Sequence, residues 1–225
     1  MNPSLTEELK IIPLYIPMSE VGGDYYDINQ VNEFTYRIFL ADATGHGVQA
    51  AMITMAIKGI YDNIKNFELS VNEILNIFNN EYIEKYISLN SFMTAIIIDI
   101  DIRNQKLKFA SAGHPAGVHF GKAGIQLLEK TGKLIGVKKD NEYKSGDLDF
   151  LRGDRLYIFT DGIFEEFNSQ EEEFGEEKLY SILSENANLS IEESLQEVLT
   201  RLDQFLDGKE KQDDISMLGI EYKSS

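Results

Sequence analysis

The chain has 225 residues, 43% of them hydrophobic, which is enough apolar material for one sizeable core, and no change of composition marks a linker, so a single domain over 1–225 is expected. There is no cysteine, which excludes disulfides, thiolate metal sites and a cysteine nucleophile. With 38 acidic against 21 basic residues the formal net charge is −17, which disfavours nucleic acid and anionic membrane as partners and welcomes divalent cations.

In chain order, the opening "MNPSLTEELK" lacks a basic stretch followed by an apolar run, and no apolar segment nears the roughly 20 residues that span a bilayer. The expectation is a cytoplasmic protein, neither exported nor embedded. Residues 21–27, "VGGDYYD", then pose a problem: two glycines weaken an extended segment, yet they precede Asp24. Glycine permits close approach to the backbone, and a carboxylate beside it suggests a cation.

The apolar run "FTYRIFLAD" (34–42) reads as a strand. A helix follows over 45–65, with Met52, Met55, Ala56 and Ile60 at helical spacing and therefore expected in the core. A second helix over 70–88 opens with the capping box Ser70-x-x-Glu73 and should pair antiparallel with the first. Strand signals continue through "FMTAIIIDIDI", "KLKFASA", "AGVHFGK", "GIQLLEK" and "DRLYIFT". The acidic stretch "EEFNSQEEEFGEE" (165–177) reads as solvated surface, and a short helix is expected from Gly175 to Ser184. A longer helix near 190–207 begins at Ser190-x-x-Glu193, aligns Ile191, Leu195, Val198 and Leu202, and stops at Gly208, before the last strand "DISMLGIEY". Several connections are too short for crossover helices, so neighbouring strands should be mainly antiparallel. Runs such as "TAIIIDI" imply burial on both faces, and two sheets packed face to face with helices outside, an α+β architecture, fit the pattern.

Four aspartates lie at strand ends: Asp24, Asp42, Asp161 and the first of the pair Asp213–Asp214. Each alone suits a turn or a cap, but carboxylates gathered on one rim repel one another unless a cation separates them. Hard oxygen ligands favour magnesium, manganese or calcium. The segments "GGDYYD", "DATGHG", "FMTA", "SAGHP", "TGKLIGV", "GDRLYIFTDGIFE", "FGEEKL" and "QDDIS" occur in the order and approximate spacing of the metal-dependent protein phosphatases, the PPM superfamily. Over residues 11–222 the chain most resembles the bacterial SpoIIE-type and RsbU-type serine phosphatases.

That resemblance implies an αββα sandwich with two Mn²⁺ or Mg²⁺ ions between the sheets, hydrolysing phosphoserine or phosphothreonine with metal-activated water. By position, Asp42 would bridge both ions, the Ala43 carbonyl would complete one shell, Asp161 and Asp213 would hold the other ion, and Asp24 would bind directly or through water. The implied substrate is a phosphorylated STAS-type anti-sigma-factor antagonist in partner-switching signalling, and an activating partner or second copy is a further implied contact. Two alternatives remain: a catalytically silent binding module on the same fold, and a phosphatase of a small phosphorylated metabolite. The chain departs from eukaryotic relatives in lacking an arginine before the first acidic motif and in reading "DATGHG" rather than D-G-H-G, which points to structural roles for His46 and for His114.

Overall fold

Strands with unbroken apolar runs send alternate side chains to opposite faces, so each face needs its own core. The structure is a computed structural model that describes residues 8–18, 22–45 and 48–224. One sheet has the order β1 (Leu9–Ile16), β10 (Ile215–Tyr222), β9 (Arg155–Phe159), β6 (Gly117–Gly121), β7 (Gly124–Leu128). The other has the order β2 (Asp24–Gln30), β3 (Thr35–Ala43), β4 (Met93–Asp101), β5 (Lys106–Ala112), β8 (Gly146–Asp149). All pairings within both sheets are antiparallel.

The alternation assigns the layers. Ile38 and Leu40 of β3, Ile96 and Ile98 of β4, and Leu218 and Ile220 of β10 meet between the sheets. Phe39 and Ala41 instead face α1 (Val48–Ile64) and α2 (Val71–Tyr86), where Phe39 stacks on Tyr61 with ring centroids 4.2 Å apart. On the opposite side Ile215 and Met217 pack beneath α3 (Glu176–Glu185) and α4 (Ile191–Leu206). The molecule is therefore the four-layered αββα sandwich expected. Capping fixes two helix starts: Glu73 accepts from the Ser70 amide at 2.9 Å, and Glu193 does the same for Ser190 at 2.9 Å.

Three departures from the sequence reading have physical causes. Strand β1 was not anticipated because Pro13 weakens its strand signal; it is an edge strand paired only with β10, the position where a missing amide is tolerated. Strand β8 was too short and polar to register. In α1 the buried row is Ala50, Ile53, Ile57, Ile60 and Ile64, whereas Met52 and Met55 are 57% and 77% exposed. A helix apolar on most sides offers more than one row of the same period, and the sheet lies against the isoleucine row, not against these two methionines.

The connection between α1 and α2 is held from within. Arg37 on β3 is buried, yet its guanidinium donates to both Asp99 oxygens at 2.7 Å and to the carbonyls of Lys65, Phe67 and Leu69 at 3.3, 3.0 and 2.8 Å. These bonds use the whole donor fork and bind the interhelical turn to the sheet. Among the described residues no helix is long and apolar enough to cross a membrane.

Candidate metal centre

Antiparallel pairing of β2 with β3 sets Asp24 directly opposite Asp42, and β4 places Thr94 opposite Asp42 and Met93 opposite Ala43. From the other sheet, β9 runs through Thr160 into a 3₁₀ turn at Asp161–Ile163. Asp161 lies close enough to Asp42 across the gap between the sheets for its charge to act on it. Burial, then the charges of Asp24, Asp161 and Asp213, push the Asp42 carboxyl well above the usual carboxylate range. Asp24 is raised too, chiefly by burial, with the hydroxyls of Ser216 and Thr160 opposing the shift and Asp214 and Asp213 adding to it. The four predicted aspartates are thus electrostatic neighbours contributed by both sheets.

Residues that the sequence reading did not single out hold this group in place. Thr160 is fully buried, donates to Asp24 Oδ2 at 2.8 Å and accepts from the Ser216 amide at 3.0 Å. A Cβ on Gly162 would lie 2.1 Å from the Asp214 carbonyl oxygen, so the glycine after Asp161 lets the start of β10 close on the turn. Glu166 lies inside the acidic stretch expected to be solvated, but it is only 1% exposed and accepts from the Gln212 amide at 2.7 Å. It anchors the segment that carries Asp213. Thr54 of α1 places its hydroxyl 3.0 Å from the Gly22 carbonyl and 3.2 Å from that of Gly23, tying the helix to the glycine pair.

The two glycines have separate tasks, which corrects the expectation that both leave room for an ion. A Cβ on Gly22 would collide with the Tyr15 hydroxyl at 2.3 Å and with Asp214 Oδ2 at 2.6 Å, so that space belongs to protein. Asp214 points back to this segment and accepts from the amides of Gly23 at 2.6 Å and Met18 at 2.7 Å. Asp213 is exposed and accepts from the Asp214 amide at 2.8 Å, while its charge reaches Asp42 and Asp24. Gly23 faces Ala43: a Cβ there would sit 2.9 Å from the Ala43 carbonyl oxygen.

Among the described residues no three His, Asp or Glu side chains form a ready metal cage. The carboxylates instead approach from both sheets, the largest charge effects on Asp42 are negative, and Gly23 carries no side chain to crowd the Ala43 carbonyl, a further oxygen donor. Such an all-oxygen, mutually repelling set fits hard divalent cations whose shells are completed by main-chain oxygen and water.

His114 is fully buried and holds no place in the carboxylate group. Its Nδ1 lies 2.7 Å from Thr94 Oγ1, and burial drives its pKa down to about 3, with the nearby Phe159 main chain opposing the shift. It is a neutral link between the sheets. His46 lies outside the described residues.

Comparison with known proteins identifies the family and the fold. Residues 32–223 match the family described as Stage II sporulation protein E (SpoIIE). The chain belongs to the SpoIIE family. Phosphoserine phosphatase RsbP of Bacillus subtilis (strain 168) is 27% identical over 231 residues, covering 99% of this chain and 54% of RsbP. Phosphoserine phosphatase RsbU of the same strain is 27% identical over 161 residues, covering 71% of this chain and 48% of RsbU. The chain thus spans about half the length of these two curated relatives. Among solved structures, the SiaA-PP2C domain of Pseudomonas aeruginosa superposes with TM-score 0.82 at 23% identity, covering 96% of this chain and 86% of that one. RsbX, solved in complex with magnesium, superposes with TM-score 0.70 at 18% identity and covers 96% of each chain.

Proposed function

We propose that this chain is a metal-dependent protein serine/threonine phosphatase that uses two Mn²⁺ or Mg²⁺ ions. The observation that carries the reading is the Asp42 carboxyl, half-buried at the rim of the two sheets and acted on by Asp24, Asp161 and Asp213. In this reading Asp42, Asp161, Asp213 and Asp24 hold the ions together with the Ala43 carbonyl. Bound divalent ions supply an acidified water nucleophile and neutralise charge on the phosphoryl group. The protein contributes position: Thr160 orients Asp24, Glu166 holds the turn before Asp213, and Asp214 secures the Gly23 backbone. The largest charge effects on Asp42 all come from carboxylates. In this reading the phosphate charge is met chiefly by the ions.

The substrate in this reading is a phosphoprotein, and a phosphorylated STAS-type antagonist is the specific candidate. RsbP and RsbU are phosphoserine phosphatases, and they are the support for that class. Hydrolysis of para-nitrophenyl phosphate and of a phosphoserine protein, with added Mn²⁺ and with chelator, tests the proposal. Turnover of both that requires metal is expected. Full turnover in chelator overturns the mechanism, while metal binding without turnover of either substrate identifies a silent module.

A further inference from the structure

The acidic character of the chain is interrupted at one place on the site's rim. Between Glu129 and Lys144 there are five lysines against three acidic residues, in a chain with 38 acidic and 21 basic residues overall. This segment runs beside the ends of β4 and β5. Gly132 bridges to Ala112, and Ile135 exchanges backbone hydrogen bonds with Met93, which in turn pairs with Ala43. One residue beyond Ala43, the Thr44 amide donates to the Phe92 carbonyl at 3.0 Å.

A lysine-bearing loop is usually just a solvated surface, but this one is fixed. Asn79 of α2 is fully buried, accepts from the Gly136 amide at 3.0 Å and donates to the Lys138 carbonyl at 2.8 Å. Its neighbour Asn80 accepts from the Asp140 amide at 2.8 Å and donates to the Asp140 carboxylate at 3.1 Å. Val137 is thereby held outward at 48% exposure, beside the Phe92 ring, which approaches Gly136. Phe92 is itself 38% exposed. Lys133 and Lys138 lie on the same loop as Val137 and form no ion pair among the described residues, whereas Lys139 lies 3.7 Å from Glu84.

We propose that Val137 and Phe92, with Lys133 and Lys138 on the same loop as Val137, form the docking surface for an acidic segment next to the phosphorylated residue of a protein substrate. The inference rests on the phosphatase reading and extends it to substrate class. Charge complementarity selects this occupant: the four aspartates and the net charge of −17 repel an acidic phosphoprotein at long range, and this fixed basic strip beside Ala43 offers it a favourable approach. The exposed apolar centre supplies contact area, and the buried asparagine clamp limits the ordering cost of binding.

The test uses two fluorescent phosphoserine peptides with a leucine near the phosphoserine, one flanked by glutamates and one by lysines. Anisotropy measures binding and phosphate release measures turnover, with para-nitrophenyl phosphate as the small reference substrate. The acidic peptide should bind at least about tenfold more tightly than the basic one, and added salt should narrow the gap. In Lys133→Glu/Lys138→Glu that preference should vanish or reverse, and the ratio of kcat/KM for acidic peptide to kcat/KM for small substrate should fall about tenfold. Val137→Asp should lower the same ratio. Equal binding of both peptides by the native chain, or an unchanged ratio in the lysine variant, overturns the docking proposal. If the native chain hydrolyses no substrate, the phosphatase reading fails, and anisotropy alone then decides whether the surface recognises acidic phosphopeptides.

Discussion

At the scale of single residues, the two aspartates of "QDDIS" divide the work by facing in different directions. Asp214 accepts two backbone amides and serves as a fastener, while Asp213 contributes its charge to the carboxylate group. Asp213→Asn should therefore lower phosphatase activity more than Asp214→Asn, and the latter should destabilise the fold by about 1–2 kcal/mol through weaker charge-assisted hydrogen bonds. Steady-state kinetics and chemical denaturation of both variants check this, and the reverse ranking of activity would reassign the ligand. Asp42→Ala and Asp161→Asn should each lower kcat at least about a hundredfold without lowering metal-free stability, because each removes a charge from a repelling group. The aspartates were legible in the sequence because Asp42, Asp161 and Asp213 sit where an apolar strand meets a turn and Asp24 follows a glycine pair. Thr160, Thr54 and Glu166 were not, since their partners are main-chain or carboxylate groups far away in the chain: Thr160 lies 136 residues from Asp24. Glu166 was hidden by composition as well, lying in a stretch whose other acidic residues are mostly exposed.

At the scale of elements, local chemistry announced itself and long-range anchoring did not. Capping boxes marked the starts of α2 and α4, and alternating apolar residues revealed strands buried on both faces. The row that α1 turns inward depends on which side the sheet lies, and that information is tertiary. Arg37 shows the same limit: within "FTYRIFLAD" it looks like a charge on an exposed strand face, yet it clamps the turn between α1 and α2. Arg37→Met should leave Asp99 and the three carbonyls without their donors and destabilise the protein by about 3–5 kcal/mol. Hydrogen exchange should rise first in residues 65–70. Arg37→Lys should restore little, because an ammonium cannot reach both Asp99 and the turn with the geometry of a planar fork. A lysine variant of native stability and native exchange would show that charge alone, not the fork, holds the helix pair.

At the scale of the whole molecule, two sheets carrying like charges are pressed together at one rim, and stability should record that conflict as a function of pH. In metal-free protein the Asp24 and Asp42 carboxyls are raised above their unfolded values, so their contribution to stability is present at low pH and is lost as pH rises through the raised values. His114 has the opposite sign: its folded pKa of about 3 lies below the ordinary 6.5, so stability is lost as pH falls from 6.5 towards 3. Between these limits the two effects partly cancel, and above pH 6.5 only the carboxylates remain of the three. In chelator, Tm should therefore fall as pH rises from about 6.5 to 9, by up to about 1.4 kcal/mol of stability per pH unit for each net proton that the folded state holds in excess. Millimolar Mn²⁺ should abolish or reverse that fall, since cations between the carboxylates stabilise their ionised forms and binding to the folded state adds its own free energy. Asp42→Asn in chelator should lose much of the fall without any metal, because the amide carries no charge to bury. Thermal unfolding across this range, with chelator and with Mn²⁺, needs no substrate. A native protein whose Tm is flat in chelator and insensitive to Mn²⁺ would mean that the four aspartates are not a cation site.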